Sequence, residues 1–358
     1  MKYIQCIFLI LIFVFACSQI QPEKSFYKIS DLRTDVMKLT SQGDNHIFYQ
    51  EPNGFNADSS KFIFKSTRNR KDGLYVIDLK SGEIKLLSNS FGHIPTWSND
   101  GTEIFYGQHG KITAVDAHTL TTRDLQIPEQ SWNTFLHIRE NQILFVEEAT
   151  DGTDFHLGLS TINTDGSNYK RLFTTDHQTV FYIDHPTFID NRILFLTRGK
   201  NRDFAGDYNK PYILESDGRM SRLPVQCSHY DVHPNGDKIL CASEGYIIDL
   251  NGTILKELSL KGHGVWAESD TFLMTGDPIP VPDGPHFGKI ALMNVNSNET
   301  INLVSHESTY NSSLEQHIQP NAQFSPDGKY IIYESDNGEL HDSDLYLVEV
   351  PDSFNMSK

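Results

Sequence analysis

The 358-residue chain has few positive charges, few cysteines and no apolar run long enough to cross a membrane. Lysine and arginine total 30 against 47 aspartate and glutamate residues, which gives a formal net charge of −17. Such a surface repels phosphate backbones, so the sequence argues against a nucleic-acid partner. It still allows an acidic ligand in a local basic cleft. Charged residues make up 22% of the chain, which disfavours a coiled coil or a disordered tail.

Several common catalytic motifs are also missing. The sequence contains no Gly-x-Ser-x-Gly elbow, no P-loop and no His-Glu-x-x-His segment. It therefore offers no motif evidence for a serine hydrolase of the α/β type, a P-loop nucleotidase or a zinc peptidase of that class.

The N-terminus has the organisation of a bacterial export signal. Residues 4–15 are apolar with one interruption and follow a Met-Lys pair, and about a dozen apolar residues are too few to span a bilayer as a helix. The segment ends in Ala16-Cys17, which resembles a lipobox. We expect a signal peptide over residues 1–16, a lipid on Cys17 and a tether over residues 17–25. No Asp follows Cys17, which resembles lipoproteins of the Gram-negative outer membrane and predicts membrane contact through the lipid anchor alone.

Cysteine is scarce, with four residues in the chain. Cys6 and Cys17 belong to the export signal and the lipid site, which leaves Cys227 and Cys241. A hairpin that turns at the Pro-Asn-Gly-Asp segment between them would pair Cys241 with Tyr230 rather than with Cys227. We therefore expect two half-buried thiols and no disulfide, although an oxidising compartment permits one. No Cys-x-x-Cys or zinc-finger spacing occurs.

The body of the chain is a repeat. Aromatic residues make up 11%, with 24 glycines and 15 prolines, a mixture that favours short strands and turns. The clearest copy is Phe-Ser-Pro-Asp-Gly-Lys-Tyr at residues 324–330, where Pro-Asp-Gly is turn chemistry between strand-forming flanks. We term the hydrophobic residue at the start of each copy its anchor. The seven anchors are Phe55, Trp97, Ile138, Phe188, Val232, Trp266 and Phe324.

The spacing of the anchors predicts the architecture. They recur every 34 to 58 residues, which is the length of a four-stranded propeller blade. Seven copies predict an all-β fold, a seven-bladed β-propeller over residues 26–358. The last blade has three strands before the chain ends, so the segment 26–32 is predicted to supply the fourth strand and close the ring. No domain boundary is visible inside the ring.

The Phe-Ser-Pro-Asp-Gly-Lys repeat resembles that of TolB-like propellers. Within that group the chain is similar to oligogalacturonate lyases and to the propeller lyases that cut other uronate polymers such as ulvan. The resemblance implies a monomeric polysaccharide lyase that cleaves an acidic, uronic-acid-containing oligo- or polysaccharide by β-elimination. The competing hypothesis is a non-catalytic, TolB-like envelope propeller that binds a protein or a glycan.

Histidine recurs at one position of the repeat. Counting back three residues from the anchors of blades 4, 5 and 6 gives His185, His229 and His263; blade 7 gives Asn321, and blade 2 has His93 one position earlier. The first strand of a propeller blade lines the central channel, so these side chains are expected to converge at one mouth. A single histidine there is better explained by strand-end packing, whereas three together favour acid–base work or metal binding.

The resemblance also implies a divalent metal, with Mn, Zn or Ca as candidates. Oligogalacturonate lyases carry a Gly-His-x-x-Trp segment, matched here around His263, and a Gln-x-x-His-x-His-Pro segment, matched from Gln316 onwards. Gln319 and Asn321 stand where that segment has its two histidines. Amides bind first-row metals more weakly than imidazole and suit harder ions. Four alternatives for the metal site therefore stay open: it is weakened, altered, calcium-like or absent. The candidate ligands are His263, Gln316 and Asn321.

A tyrosine and an arginine form the second candidate group. Propeller lyases of the ulvan type use a Tyr and, sixteen residues later, an Arg, and Tyr182 and Arg198 have that separation. In β-elimination the uronate carboxylate is neutralised, a base removes the C5 proton and an acid protonates O4. We assign Arg198 to the carboxylate, His185 or His229 to proton transfer, and Tyr182 to either proton step. The candidate substrate-binding residues are His93, Arg202 and Lys210.

Overall fold

The computed structural model describes residues 25–27, 36–48, 54–70, 72–89, 94–108, 110–127, 131–150, 155–176, 182–198, 210–267, 270–276, 286–308, 310–311, 316–317, 320–336, 343–351 and 354. Within these ranges the chain forms 31 β-strands and one turn of 3-10 helix, Arg68–Arg70, and contains no helix that is long and apolar enough to cross a bilayer. The predicted signal peptide, Cys17 and nearly all of the predicted tether lie outside the described residues, so they stay predictions.

The strands form seven antiparallel sheets, the blades of a propeller, as the repeat predicts. The first two strands, β1 (Ser25–Tyr27) and β2 (Val36–Lys38), belong to the last blade. Blade 1 consists of β3 (Asn45–His46), β4 (Lys61–Ser66), β5 (Gly73–Asp78) and β6 (Ile84–Ser88). Blade 2 consists of β7 (Thr96–Trp97), β8 (Glu103–Gln108), β9 (Lys111–Asp116) and β10 (Thr122–Gln126). Blade 3 consists of β11 (Ser131–Arg139), β12 (Gln142–Thr150), β13 (Phe155–Asn163) and β14 (Lys170–Asp176).

The remaining blades repeat the same order of strands. Blade 4 consists of β15 (Tyr182–Ile189), β16 (Arg192–Arg198), β17 (Lys210–Leu214) and β18 (Met220–Arg222). Blade 5 consists of β19 (Tyr230–Val232), β20 (Lys238–Cys241), β21 (Tyr246–Asp249) and β22 (Ile254–Glu257). Blade 6 consists of β23 (His263–Trp266), β24 (Thr271–Gly276), β25 (His286–Asn294) and β26 (Thr300–Ser308). A short ribbon of β27 (Tyr310–Asn311) and β28 (Gln316–His317) precedes blade 7, which adds β29 (Gln323–Phe324), β30 (Tyr330–Ser335) and β31 (Asp344–Glu349) to β2 and β1.

The hydrogen bonds of the Ser-Pro-Asp-Gly turn explain why the repeat folds as a hairpin. In blade 7 the Gly328 N–H donates to Ser325 O at 2.8 Å, and Gly328 has a φ of +69°, which glycine adopts at little cost. The Ser325 hydroxyl donates to Asp327 at 2.6 Å and accepts from the Tyr330 N–H at 2.9 Å. These local bonds place the anchor Phe324 opposite the second strand of its blade.

Each interface between neighbouring blades holds its own apolar cluster. Between blades 4 and 5, for example, Leu194 and Leu196 pack with Ile239. Between blades 7 and 1, Leu345 packs with Phe62. Seven such clusters fill the seven interfaces of the described ring. Because the interface between the last blade and the first is also filled, the ring is closed.

The strand that closes the ring lies later in the chain than predicted. β2 pairs antiparallel with β31, with Val36 opposite Val348, and supplies the fourth strand of blade 7. β1 pairs with the outer side of β2 as a fifth strand. The choice of segment 26–32 as the fourth strand was therefore wrong. The strand is fixed by Val36, which is fully buried in the cluster between blades 6 and 7, and three residues are too few to show a periodic pattern in the sequence.

Cys227 and Cys241 form a disulfide, so the expectation of two separate thiols was wrong. The predicted hairpin register itself is correct, because Tyr230 lies opposite Cys241. Cys227 reaches Cys241 from outside the hairpin. The chain bends at residues 228–229, just before β19, and this brings the two Cα atoms to 5.0 Å. Both residues are fully buried in the cluster between blades 4 and 5.

Candidate active site

The first strands of the blades line a central channel, which contains a cavity of about 390 Å³ at the level of the anchors. Six of the seven blades contribute to its wall, and the wall includes Phe55, Trp97, Trp266 and Phe324. This arrangement confirms that six of the seven anchors surround one axis.

Several polar groups in the wall of this cavity have partners within the protein. The Asp231 carboxylate accepts from the Trp266 N–H at 2.6 Å, and the Trp97 indole N–H donates to Gly54 O at 2.8 Å. Burial, with a smaller effect of a nearby arginine, lowers the pKa of His137 to about 4, so that this channel imidazole is neutral at pH 7. The cavity wall is therefore built for packing, and we place the candidate chemistry elsewhere in the channel.

A second level of the channel lies nearer the start of each first strand. In blade 5 the anchor Val232 pairs with Ile239, and Ala242, three residues beyond Ile239, donates its N–H to His229 O at 3.1 Å. His263 stands in the same relation to the second strand of blade 6. We name this position the histidine level. With about 3.3 Å per strand residue, it lies about 10 Å from the anchors.

Blade 1 contributes a histidine that the sequence analysis missed. His46 lies opposite Lys65, which is three residues beyond Phe62, the partner of the anchor Phe55. His46 is therefore at the histidine level although it precedes its anchor by nine residues. Counting back three residues fails here because His46 precedes its anchor by nine residues instead of three. The Asn-His pair at residues 45–46, before the first anchor, was the available signal in the sequence.

Glu334 links His46 of blade 1 to Asn321 of blade 7. Its Oε1 accepts a hydrogen bond from Asn321 Nδ2 at 3.0 Å, and its Oε2 lies 3.8 Å from His46 Nδ1. Asp44 Oδ2 lies 3.1 Å from His46 Nε2. Burial alone would lower the pKa of His46, but the hydrogen bonds to Asp44 and Glu334, together with their charges, raise it to about 10. His46 is thus an imidazolium between two carboxylates, at the seam where the ring closes.

Stability should depend on pH through His46. A group whose pKa rises on folding contributes stability that is complete below its ordinary pKa of 6.5, declines as the pH rises, and is lost above the folded value of about 10. We expect the Tm advantage of the wild type over His46→Gln to shrink steadily across that window. Thermal unfolding followed by circular dichroism measures it, with His118→Gln, on an exposed turn of blade 2, as the matched control. A difference in Tm that does not change with pH would contradict this account.

Blade 4 departs from the regular ladder at His185. The pairing of β15 with β16 skips from Asp184 to Thr187, so His185 lies in a bulge with a φ of +49°, which few residues other than glycine adopt. Its side chain is 7% exposed, and its Nε2 lies 3.4 Å from Asp184 Oδ1. The Tyr230 hydroxyl of blade 5 donates to His185 O. The bulge places Asp184 at the histidine level, next to the predicted His185.

His229 and His263 are in direct contact across the interface of blades 5 and 6. Their ring centroids are 4.4 Å apart, in an edge-to-face arrangement. His229 Nδ1 lies 2.7 Å from Ser243 Oγ, and that hydroxyl lies 3.3 Å from Gly262 O. His263 is 4% exposed, whereas His229 is half-buried. Of the three histidines predicted in blades 4 to 6, His229 is therefore the one that a substrate reaches most easily.

Tyr182 and Arg198 lie directly opposite each other in β15 and β16, at the same end of blade 4. The neighbouring Ile183 packs into the cluster between blades 3 and 4. Since side chains alternate along a strand, the half-buried Tyr182 is on the other face of the sheet, towards blade 5. Tyr182 and His229 thus lie at the same end of the channel, but the His229 ring contacts His263 on the blade 6 side of its own blade.

Of the predicted substrate-binding residues, the structure describes Lys210, which it does not bring to this site. Lys210 is half-buried on β17, the third strand of blade 4. It lies two strands, or about 10 Å, away from the strand that lines the channel. His93 and Arg202 lie outside the described residues, so their roles stay predictions.

The described donors for a metal ion are few. Asn321 Oδ1 is buried and has no hydrogen-bond partner, while Asn321 Nδ2 is held by Glu334, so this oxygen is oriented and available. Gln316 lies in the separate ribbon of β27 and β28, and its side chain is outside the described residues. Nowhere in the described ranges do three or more His, Cys, Asp or Glu residues form a group that could hold a metal. One imidazole, of His263, and one amide oxygen do not by themselves fit a first-row metal.

Solved structures with the same architecture include two oligogalacturonate lyases. One, in complex with manganese, has a TM-score of 0.73 and 18% sequence identity over 94% of this chain and 98% of its own. The other, from Vibrio parahaemolyticus, has a TM-score of 0.72 and 16% identity over 94% and 98%. The chain shares the propeller fold of these lyases. TolB from Acinetobacter baumannii has a TM-score of 0.40 and 13% identity over 83% and 62%.

At this level of identity the comparison establishes the fold and no more. No protein-family model and no curated protein matches the chain. Because one fold hosts many activities, the function has to be argued from the residues of the site. The residues that the described structure brings into contact are His229, His263 and Ser243, with Tyr182 on the neighbouring blade 4 at the same end of the channel.

Proposed function

We propose that the protein is a polysaccharide lyase that cleaves a uronic-acid-containing oligo- or polysaccharide by β-elimination. The observation that supports it best is the half-buried His229, which contacts His263 and is hydrogen-bonded by Ser243. Proton abstraction from carbon requires a base that reaches the substrate and is oriented by a second group. The similarity of its fold to that of oligogalacturonate lyases also supports this chemistry.

The proposed reaction uses side chains of blades 4 and 5. His229 Nε2 takes the proton from C5 of the uronate, the electron pair forms the C4–C5 double bond, and the C4–O4 bond breaks. Tyr182, on the face of blade 4 directed to blade 5, donates a proton to the departing O4. Arg198, the strand partner of Tyr182, is assigned to the uronate carboxylate, whose neutralisation makes the C5 proton acidic. His185, at 7% exposure, supports the site rather than transferring a proton.

No step of this reaction depends on a metal. One fold neighbour is a lyase in complex with manganese, but the described donors around His263 and Asn321 do not complete a site for it. A divalent ion would act here as a further positive charge opposite the uronate carboxylate. The involvement of a metal is therefore tested separately, by adding divalent ions or a chelator to the assay.

A non-catalytic envelope propeller is the second candidate function. It is favoured by Gln319 and Asn321, which replace the two histidines that the resemblance requires. A binding protein would keep the channel mouth without keeping the metal ligands. For both candidates we propose a monomer at the Gram-negative cell envelope, attached to the outer membrane through a lipid on Cys17.

The experiment that tests the lyase proposal measures the unsaturated uronate that β-elimination creates. The protein is incubated with oligogalacturonate, ulvan and other uronans, and the ultraviolet absorbance of the product is followed. Each uronan is tested alone, with added Mn²⁺, Ca²⁺ or Zn²⁺, and with a chelator, and a neutral glucan serves as the control. We expect absorbance to rise on at least one uronan and to stay flat on the glucan. Flat absorbance on every uronan, with and without metal, would contradict the lyase proposal and favour the non-catalytic binding protein.

A further inference from the structure

The hydroxyl of Ser243 connects the imidazole of His229 to a main-chain carbonyl. Ser243 Oγ lies 2.7 Å from His229 Nδ1 and 3.3 Å from Gly262 O. Ser243 itself is in the chain segment of blade 5 that directly follows the disulfide-bonded β20. The connection spans blades 5 and 6, because Gly262 immediately precedes His263 and β23.

The positions of both partners of Ser243 are fixed by other contacts. The Ala242 N–H donates to His229 O at 3.1 Å, and the Gly262 N–H donates to Ala242 O at 3.2 Å. Gly262 has a φ of +150°, a conformation that favours glycine. Ser243, His229 and Gly262 are therefore held by the same short stretch of backbone, so their contacts follow from the fold.

The contact with Gly262 O indicates which way the hydrogen bonds run. A carbonyl oxygen is an acceptor with no proton to give, so this contact is a hydrogen bond only when the Ser243 hydroxyl donates its one proton to Gly262 O. The same hydroxyl then has lone pairs left for His229 and accepts from Nδ1–H. A neutral imidazole carries one proton, so a proton on Nδ1 leaves the lone pair on Nε2.

We infer that Ser243 is a positioning residue that holds His229 as the Nδ1–H tautomer, with Nε2 as the basic nitrogen. The inference rests on the proposed function, in which Nε2 removes the C5 proton, and it adds the residue that keeps this nitrogen unprotonated. In the other tautomer the proton lies on Nε2, which then cannot act as a base. Ser243 thus sets the fraction of molecules that are ready for catalysis.

The tautomer is measured directly by nitrogen NMR of the histidine rings. The full chain is labelled with ¹⁵N-histidine, and the His229 signals are assigned by their loss in His229→Gln. We expect the wild type and Ser243→Thr, which keeps the hydroxyl, to show a protonated Nδ1 and a lone-pair Nε2. Ser243→Ala should lose this preference. A wild-type spectrum with the proton on Nε2, or the same spectrum in Ser243→Ala, would overturn the inference.

Kinetics separate this inference from the proposed function. If a uronan is cleaved, Ser243→Ala should lower kcat on the order of 10-fold and alter the acidic limb of the pH profile, with Ser243→Thr restoring both. Unchanged kcat and pH profile in Ser243→Ala would overturn the positioning role. Should no uronan be cleaved, the NMR result still decides the tautomer, because it needs no substrate.

Discussion

Replacing His229 by Gln should lower kcat/KM on a cleaved uronan by about 10²- to 10⁴-fold, which is the usual contribution of a positioned general base. Gln keeps a similar volume and a polar end but cannot take a proton at neutral pH. The effect should fall mainly on kcat, because the base stabilises the transition state and contributes little to the binding of substrate. Initial rates of unsaturated-uronate formation over a range of substrate concentrations measure it.

Two matched variants make this result specific. His118→Gln removes an exposed imidazole on a turn of blade 2 and should leave the rate unchanged. His185→Gln tests the rejected alternative, and we expect a smaller loss, because His185 is buried against Asp184. Full activity in His229→Gln, with a large loss in His185→Gln, would transfer the role of base to His185 and contradict the assignment.

The parts of the structure that the sequence predicted correctly depend on local hydrogen bonds. The turn at Ser325 and Asp327 closes its own hairpin, so each copy of the repeat folds in nearly the same way and the number of blades follows. Where the ladder is regular, counting back from the anchor is correct, as it is for His229 and His263. Hairpin arithmetic also places Tyr182 and Arg198 at the same end of blade 4, although the bulge after Asp184 is what brings them directly opposite each other.

The parts that the sequence did not predict depend on irregular backbone. His46 was missed because it precedes its anchor by nine residues instead of three. His185 is displaced by a bulge that the sequence pattern does not predict. The role of Ser243 arises from a contact between two blades. A one-dimensional pattern contains none of these long-range relations, so they become visible when the blades are assembled.

Removing the disulfide with the double variant Cys227→Ala, Cys241→Ala should lower the free energy of unfolding by about 3 kcal/mol, the value for a loop of about 15 residues. The two residues are 14 apart in sequence and fully buried. The disulfide restricts the conformations of the unfolded chain. In the folded state it holds the backbone around His229, since Tyr230 pairs with Cys241 and His229 O accepts from the Ala242 N–H. Chemical denaturation without reductant measures the loss.

A reducing agent provides the control for this prediction. Dithiothreitol should lower the denaturation midpoint of the wild type towards that of the double variant and leave the double variant itself unchanged. Because the bond lies beside His229, reduction should also weaken the NMR preference for the Nδ1–H tautomer. A wild type that is as stable with dithiothreitol as without it, and that has two titratable thiols at these positions when unfolded without reductant, would show that the bond does not form. The site would then be held by the hydrogen bonds of Ala242 and Ser243 alone.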